Sequence, residues 1–456
     1  MEKWVNNVAK YVLRNAMLDL LLRIEQGSGY SHLLIDHEIK KKQLSEKDKG
    51  LLTEVVYGTI QRKLTLDYYL NNFIKTNKKQ KPWVQMLLRM SIYQMVFLDK
   101  VPAHAVIHEA VEITKQRGHK GVASFVNGVL RNVQRQGVPE TSSIKDPIKR
   151  LSIETSHPEW MIKKWIEDYG LKTTKDMCRE NMERKQVSVR IQPLKISREA
   201  AVKQLNVEGF DVEPSSISKQ GLIIKKGNIV NSRLFQEGYL TIQDQSSMLV
   251  GEMLDARPGM SVLDACSAPG GKTTHLAEKM ENKGVVKAHD LHKKKINLVN
   301  EKSSQLSLSI IDASQADARV LNTVYDQESF DRILIDAPCS GLGVLKGKPD
   351  IKFTKQADDI YQLAKIQLDI LKSVAPLLKI GGLLIYSTCT VNHEENESVI
   401  QSFLKQHPNY EVDKAFFDTL PDNLKNSLGE TENGLQLFPQ TLQTDGFFLT
   451  RLRKTF

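Results

Sequence analysis

Cys266 to Thr274, CSAPGGKTT, is the stretch whose residue types and spacing most clearly suit a ligand. An apolar run, Met260-Ser261-Val262-Leu263-Asp264, precedes it, and a helix-like stretch from Thr273 to Met280 follows. It therefore reads as the tight turn between the first strand and the first helix of a domain. Gly270 and Gly271 would let the backbone come close to a bound molecule, and the helix start offers unpaired N–H groups and a partial positive charge. Further on, the ends of the apolar runs carry acids and two cysteines: Asp290, Asp317, Asp336, Cys339 and Cys389.

The turn by itself admits two ligands. Gly271-Lys272-Thr273 matches the end of a triphosphate-binding loop, but Cys266 stands where that loop needs its first glycine. The alternative is a turn that holds S-adenosylmethionine, commonly an acid followed by glycines at alternate positions. Asp264 and Gly270 fit it, whereas Cys266 and Ala268 do not. Glycine turns of this kind recur widely, so the loop alone leaves both open.

What ends each strand narrows the choice, because ligands of an open parallel sheet lie at the carboxyl ends of its strands. Asp264 ends the first strand, and Asp290, 26 residues later, is placed to accept hydrogen bonds from a ribose. Asp317 follows the third strand, where an adenine edge could be held, and Asp336 ends the fourth. Each acid alone could be a helix cap, but four in one register point to a site. Two cysteines at adjacent strand ends suit one reaction in particular. C5 of a cytosine is too weak a nucleophile to take a methyl group directly, and adding a thiolate to C6 activates it. A second group must then help to expel the thiol, and an acid near N3, for which Asp336 is placed, would stabilise the adduct. The alternative is that Cys339 and Cys389 are small buried hydrophobes.

These residues need elements to position them. From Met260 onward strand-like runs at Val285–His289, Ser309–Ile311, Arg332–Ile335 and Leu383–Ser387 alternate with helical runs at Lys293–Leu306 and Ala357–Leu378. Such alternation predicts an α/β, Rossmann-like domain with a doubly wound, mostly parallel sheet, over residues 241–456. Residues 1–140 read as an all-helical bundle. Its apolar stripes run from Val5 to Ile24, through Leu51, Val55 and Ile60 behind a Ser45 cap, and over Trp83–Leu98, His104–Arg117 and Val122–Gln134. Between them, 141–240 combines a linker (Gly137–Pro147), a helical pair between Trp160 and Met182, and short strands at Val187–Ile191, Gly221–Lys225 and Tyr239–Ile242 around a helix at Ser197–Leu205. That predicts a small α+β lobe.

Charge separates the same regions. Residues 1–150 hold 25 Lys+Arg and 14 Asp+Glu, a surplus of 11, while residues 151–456 hold 39 and 40. A basic bundle beside a near-neutral domain suggests a polyanion binder joined to a catalyst; the alternative is a solvated lysine-rich surface. No apolar run reaches the ~18–20 residues of a membrane helix, and no signal peptide is legible, so the expected location is the cytoplasm. The four cysteines form no C-x-x-C pair, and His104, His108 and His119 have no ligand partners in sequence, so no metal site is expected.

CSAPGGKT, DAPCSGLG and STCTVNHEENE together resemble three motifs of the RNA cytosine-C5 methyltransferases of the Nop/Sun type. The likeness continues to Gln443-Thr444-Asp445-Gly446-Phe447-Phe448, and the N-terminal bundle resembles the RNA-binding antitermination factor NusB. The middle lobe would then be RRM-like. The resemblance implies that Cys389 is the nucleophile and that Cys339 aids product release. It further implies that Cys266, Ser267, Ala268, Pro269, Gly270, Gly271, Lys272, Asp290, Asp317 and Asp336 contact S-adenosylmethionine, with Asp336 also facing the base. The pairing of the two domains implies small-subunit (16S) rRNA as partner, with no DNA, no membrane and a monomeric enzyme. Gln243-Asp244-Gln245-Ser246-Ser247 departs from the family pattern, which leaves its role open. The readings weighed against this one are a cytosine-C5 methyltransferase of tRNA or 23S rRNA and a non-catalytic rRNA assembly factor. A DNA cytosine methyltransferase would use the Pro-Cys cysteine as its nucleophile and lack the Thr-Cys one.

Overall fold

The structure is a computed structural model that describes residues 12–27, 29–74 and 80–456. It divides into two compact units, one formed by residues up to Met182 together with Leu345–Lys355, the other by Glu183–Val344 and Gln356–Phe456. No described helix is long and apolar enough to cross a membrane.

The first unit is helical: α1 (Val12–Glu25), α2 (Ser31–Lys42), α3 (Glu46–Gln61), α4 (Lys63–Asn71), α5 (Pro82–Phe97), α6 (Ala103–Arg117), α7 (Lys120–Gln136), α8 (Pro147–Thr155) and α9 (Glu159–Glu180). Val5 and Val8, at the start of the first predicted stripe, lie outside the described residues. Ser45 caps α3 as predicted, its hydroxyl accepting from the Asp48 N–H at 3.2 Å, a contribution of about 1 kcal/mol. Met17, Leu20, Leu21, Leu52, Val55, Leu87, Ile113 and Leu130 meet in one core, each fully buried side chain contributing roughly 1.5–3 kcal/mol.

This unit extends past residue 140. Tyr68 OH donates to the Glu140 carbonyl at 2.9 Å, and Thr65 Oγ1 donates to the Ile153 carbonyl at 2.5 Å, which fastens α8 onto α4. The predicted helical pair is the single element α9, broken at Gly170, where φ is +78°. The segment Leu345–Lys355, which follows DAPCSGLGV in the chain, also folds here. Ser31 Oγ donates to Asp350, and the fully buried Lys352 donates to the Gln61 carbonyl at 2.8 Å, burial pulling its ammonium down to about 7.

The second unit holds two sheets. The smaller comprises β1 (Val187–Ile191), β2 (Asp211–Pro214), β3 (Gly221–Lys226) and β4 (Leu240–Ile242), in the order β2-β3-β1-β4 and antiparallel throughout. One helix, α10 (Arg198–Val207), packs on it behind a Ser197 cap. The larger sheet has five parallel strands, with β7 at one edge: β5 (Ser261–Asp264), β6 (Val285–Asp290), β7 (Ile311–Gln315), β8 (Phe330–Asp336) and β9 (Leu378–Thr388), in the order β7-β6-β5-β8-β9. Antiparallel strands complete it: β13 (Phe447–Lys454) on β9, with β10 (Tyr410–Val412) and β12 (Gly434–Leu437) on β13, and β11 (Glu430–Thr431) on β12. The helices that matter to the site are α11 (Gln245–Met253), α12 (Gly271–Lys279), α13 (Lys293–Leu306), α14 (Ala357–Val374) and α15 (Glu397–Gln406). The chain runs from β5 outward through β6 to β7 and then returns to β8. The sheet's switch point therefore lies at the carboxyl end of β5, where a doubly wound sheet binds its ligand.

Candidate active site

All five parallel strands end on one edge, so the acids predicted there do come together. Asp264 ends β5, Asp290 ends β6, Asp317 lies two residues past β7 and Asp336 ends β8. The turn after β5 is tied to β6 by Ser267, whose N–H and hydroxyl both donate to the His289 carbonyl, at 2.7 and 3.0 Å. Gly270 has φ +94°, and a Cβ there would stand 3.2 Å from the backbone of Val299, so glycine is required twice over. Cys266 and Ala268 are half-buried and Pro269 is exposed in the same turn. α12 starts immediately afterwards, which leaves its first N–H groups at the switch point.

The acids differ in what they do. Asp264 is fully buried; one oxygen accepts from Thr273 Oγ1 at 2.7 Å and the other makes no hydrogen bond. Burial, assisted by the nearby Asp336, pushes its carboxyl up to about 7. Asp290 is 9% exposed and accepts from the His292 N–H at 3.1 Å, with Lys295 Nζ 3.7 Å away. Asp317 is engaged by Arg319, whose Nη2 lies 2.6 Å from it and whose hydrogen bonds hold its carboxyl below the usual range. Its cap to the Arg319 N–H at 3.0 Å is the alternative that the sequence offered for such acids. Asp336 accepts from Lys272 Nζ at 2.7 Å and from Ser387 Oγ at 3.0 Å. Lys272, predicted to touch a cofactor, is thus paired to the acid predicted to face a base.

A raised carboxyl has a consequence for stability. The folded state holds a proton on Asp264 up to about pH 7, whereas an unfolded aspartate loses it near 3.8, so stability falls as pH rises between these values. Asp264→Asn removes that titration. The melting temperature of the variant is expected to fall less than that of the parent between pH 4 and pH 7; parallel curves would show that Asp264 is ionised across this range.

Register brings the cysteines together. Asp336 and Ser387 pair across β8 and β9, so Cys339 and Cys389, three and two residues further on, leave neighbouring strand ends side by side. Their sulfurs are 3.4 Å apart, and no disulfide joins them. The hydrogen bond to Cys389, and then burial, push the Cys339 thiol well above its ordinary value. The two thiols face each other, and either sulfur can donate to the other. The fourth cysteine, Cys178, is buried in the helical unit, and burial raises its thiol to about 12.

The STCTVNHEENE motif also fixes the cysteine loops, through contacts that its local pattern does not reveal. Glu395, fully buried, accepts from the Ser340 N–H at 2.8 Å, Asn392 Nδ2 at 2.7 Å and Gln367 Nε2 at 2.9 Å, and Ser340 Oγ donates to it as well. Ser340 and Thr390, the residues after the two cysteines, are joined through their hydroxyls at 2.7 Å. Both cysteine loops are thereby fixed to one buried carboxylate. The role of Gln243–Ser247 also becomes visible. Asp244 caps α11 through the Ser246 N–H at 3.0 Å and accepts from Thr444 Oγ1 and from the Asp445 N–H at 3.2 Å, which fastens this segment to the C-terminal QTDGFF stretch. Burial would raise the Asp244 carboxyl, but Lys185 and these hydrogen bonds outweigh it and hold it low. Among the described residues no cluster of His, Cys, Asp and Glu could hold a metal ion.

A doubly wound sheet with a glycine turn at its switch point and acids along the adjoining strand ends defines a Rossmann-like, nucleotide-binding class of α/β domain. The chain belongs more narrowly to the 16S rRNA methyltransferase RsmB/F family, whose model matches residues 252–453. The NusB family model matches 12–135, and the ferredoxin-like domain of RsmF/B-like methyltransferases matches 157–231. The probable ribosomal RNA small subunit methyltransferase B of Bacillus subtilis is 47% identical over 445 residues, 98% of this chain and 99% of its own length. Its counterpart in Synechocystis is 34% identical over 95% of this chain and 98% of its own length. The solved structure of PH0851 superposes with a TM-score of 0.81 at 26% identity, covering 96% of this chain and 98% of its own.

Proposed function

We propose that this chain transfers a methyl group from S-adenosylmethionine to C5 of a cytosine in 16S rRNA by way of a covalent bond between Cys389 and C6. The observation that carries the reading is the pair of sulfurs 3.4 Å apart at the ends of adjoining strands. The resemblance of STCTVNHEENE to the Thr-Cys motif of the RNA cytosine-C5 methyltransferases makes Cys389 the sulfur that attacks C6 as a thiolate. Asp336, anchored by Lys272 and Ser387, faces N3 and steadies the ring as C5 gains electron density. After transfer the C5 proton passes to water or another base, its electron pair re-forms the C5=C6 bond, and the C6–S bond breaks to return Cys389 as a thiolate, whose release Cys339 aids from 3.4 Å away.

The turn fits the donor. The start of α12 leaves its first N–H groups at the switch point, and Asp264 offers a buried oxygen with no hydrogen bond. S-adenosylmethionine supplies an electrophilic methyl group on a sulfonium. Cys266–Lys272 would line it and Asp290 would take its ribose hydroxyls. Asp317 reaches an adenine edge once Arg319 releases it. The names of the relatives point to small-subunit rRNA as the substrate. Bisulfite sequencing of 16S rRNA should show one protected cytosine that disappears when this chain is deleted; identical maps would reject the proposal.

The helical unit supplies RNA affinity in this reading. Lys120, Arg131 and Arg135 are exposed and fall on one face of α7, since 11 and 15 residues are close to whole helical turns. Changing all three to glutamate should weaken rRNA binding and flatten its dependence on salt by roughly 0.7–0.9 in log–log slope per lost phosphate contact. An unchanged slope would return this charge to a solvated surface. Substitution serves better than removing residues 1–140, because removal would strip the packing from Lys352 and Asp350.

A further inference from the structure

Arg190 is the fourth of the five residues of β1 and is fully buried, a charge among Val189 and Ile191. Its guanidinium reaches five acceptors. Nε and Nη2 donate to the two oxygens of Glu278, each at 2.8 Å. Nη2 also donates to Thr274 Oγ1 at 3.0 Å, and Nη1 to the Gly271 carbonyl at 2.8 Å and to Gln243 Oε1. Gly271, Thr274 and Glu278 are the start, the first turn and the second turn of α12, the helix that begins at the glycine turn. Thr274 Oγ1 in turn donates to the Gly270 carbonyl at 2.8 Å. One side chain of the small sheet thus holds both glycines of the turn, directly or through Thr274.

Among the described residues Arg190 forms its ion pair with Glu278. Gln220 donates to Glu278 at 3.0 Å and is bonded through its carbonyl oxygen to His275 Nε2 at 3.1 Å. Lys302, on α13, is pulled down to about 8, first by burial and then by Arg190. A planar fork with five donors meets this set of acceptors, whereas a lysine has a single nitrogen with three.

We propose that Arg190 is a positioning residue for the donor-binding turn. It acts through the Gly271 carbonyl and Thr274 to hold the start of α12, so that the small lobe presets the turn for S-adenosylmethionine. This rests on the reading that S-adenosylmethionine binds at that turn. The competing account is that Arg190 and Glu278 are only a buried brace between two sheets.

Calorimetric titration of the full chain with S-adenosylmethionine separates these possibilities. The parent protein should bind; if it does not, the proposed donor site fails and not merely the role of Arg190. Arg190→Lys should bind about tenfold to a hundredfold more weakly, the range of a charge-assisted hydrogen bond. Its KM for S-adenosylmethionine should rise, while kcat at saturation stays within about twofold, because Cys389, Cys339 and Asp336 are untouched. The double variant Arg190→Met with Glu278→Met replaces the pair by apolar groups, a change that often costs little stability. It should melt near the parent's temperature and still bind the donor weakly. Parent-like affinity in either variant would overturn the proposal. So would loss of folding in both, which would make the pair a structural brace.

Discussion

Cys389→Ala is expected to abolish methyl transfer, lowering turnover by a factor on the order of 10⁴ or more, with S-adenosylmethionine affinity unchanged. Without a sulfur at this position nothing adds to C6, and C5 stays too electron-poor to take the methyl group. The loss should be specific to chemistry, because the loop that carries Cys389 is held by its neighbours. Thr390 is bonded to Ser340, and the Gly343 N–H donates to the Cys389 carbonyl at 3.0 Å, which is a backbone contact that alanine keeps. Single-turnover assays with radiolabelled donor, beside calorimetry of donor binding, check both halves. Residual turnover within tenfold of the parent would mean that Cys389 is not the nucleophile.

Asp336→Asn is the second large effect. The carboxylate is the counter-ion of Lys272 at 2.7 Å and the acceptor for Ser387 at 3.0 Å. Asparagine keeps the shape but cannot hold a proton between itself and a ring nitrogen, and it leaves the Lys272 ammonium without its partner. Turnover should drop by about 10²–10⁴, the usual range for a lost acid–base group. Asp264 provides an internal control. Asp336 is one of the causes that raise its carboxyl, so in Asp336→Asn the Asp264 carboxyl should titrate lower than about 7. Turnover that survives the substitution would remove Asp336 from the chemistry.

How far these residues could be read from sequence depended on whether their signal was local. The strands at Val187–Ile191 and Val285–Asp290 were legible because short apolar runs bounded by turns have few other readings. The third parallel strand was expected at Ser309–Ile311 and lies at Ile311–Gln315. It is an edge strand whose sequence, IDASQ, is mostly polar, and pairing with β6 holds it rather than its own pattern. Asp211–Pro214 gave no strand signal for a similar reason, since DVEP is acidic, ends in proline and is held by pairing with β3 and by Val212 in the core beneath α10. LKGKPDIKFTK reads as a charged loop, and only the structure shows Lys352 and Asp350 satisfied inside the helical unit. The glycine turn, Asp264, Asp336 and both cysteines were legible because each lies at or just past an apolar run. Glu395 and Arg190 were not, although each leaves a trace: a charge within a conspicuous motif, and a charge beside Val189 and Ile191 in a strand. Apart from Asn392, three residues from Glu395, their acceptors and donors come from segments 28 to 88 residues away, which no local pattern reveals.

The covalent route is tested most directly by incubating Cys339→Ala with S-adenosylmethionine and 16S rRNA and running the mixture on a denaturing gel. If Cys389 forms the bond to C6 and Cys339 serves to break it, this variant accumulates a protein–RNA complex that survives denaturation, and neither Cys389→Ala nor the double variant does. A complex trapped by Cys389→Ala but not by Cys339→Ala would contradict the assignment and exchange the two roles.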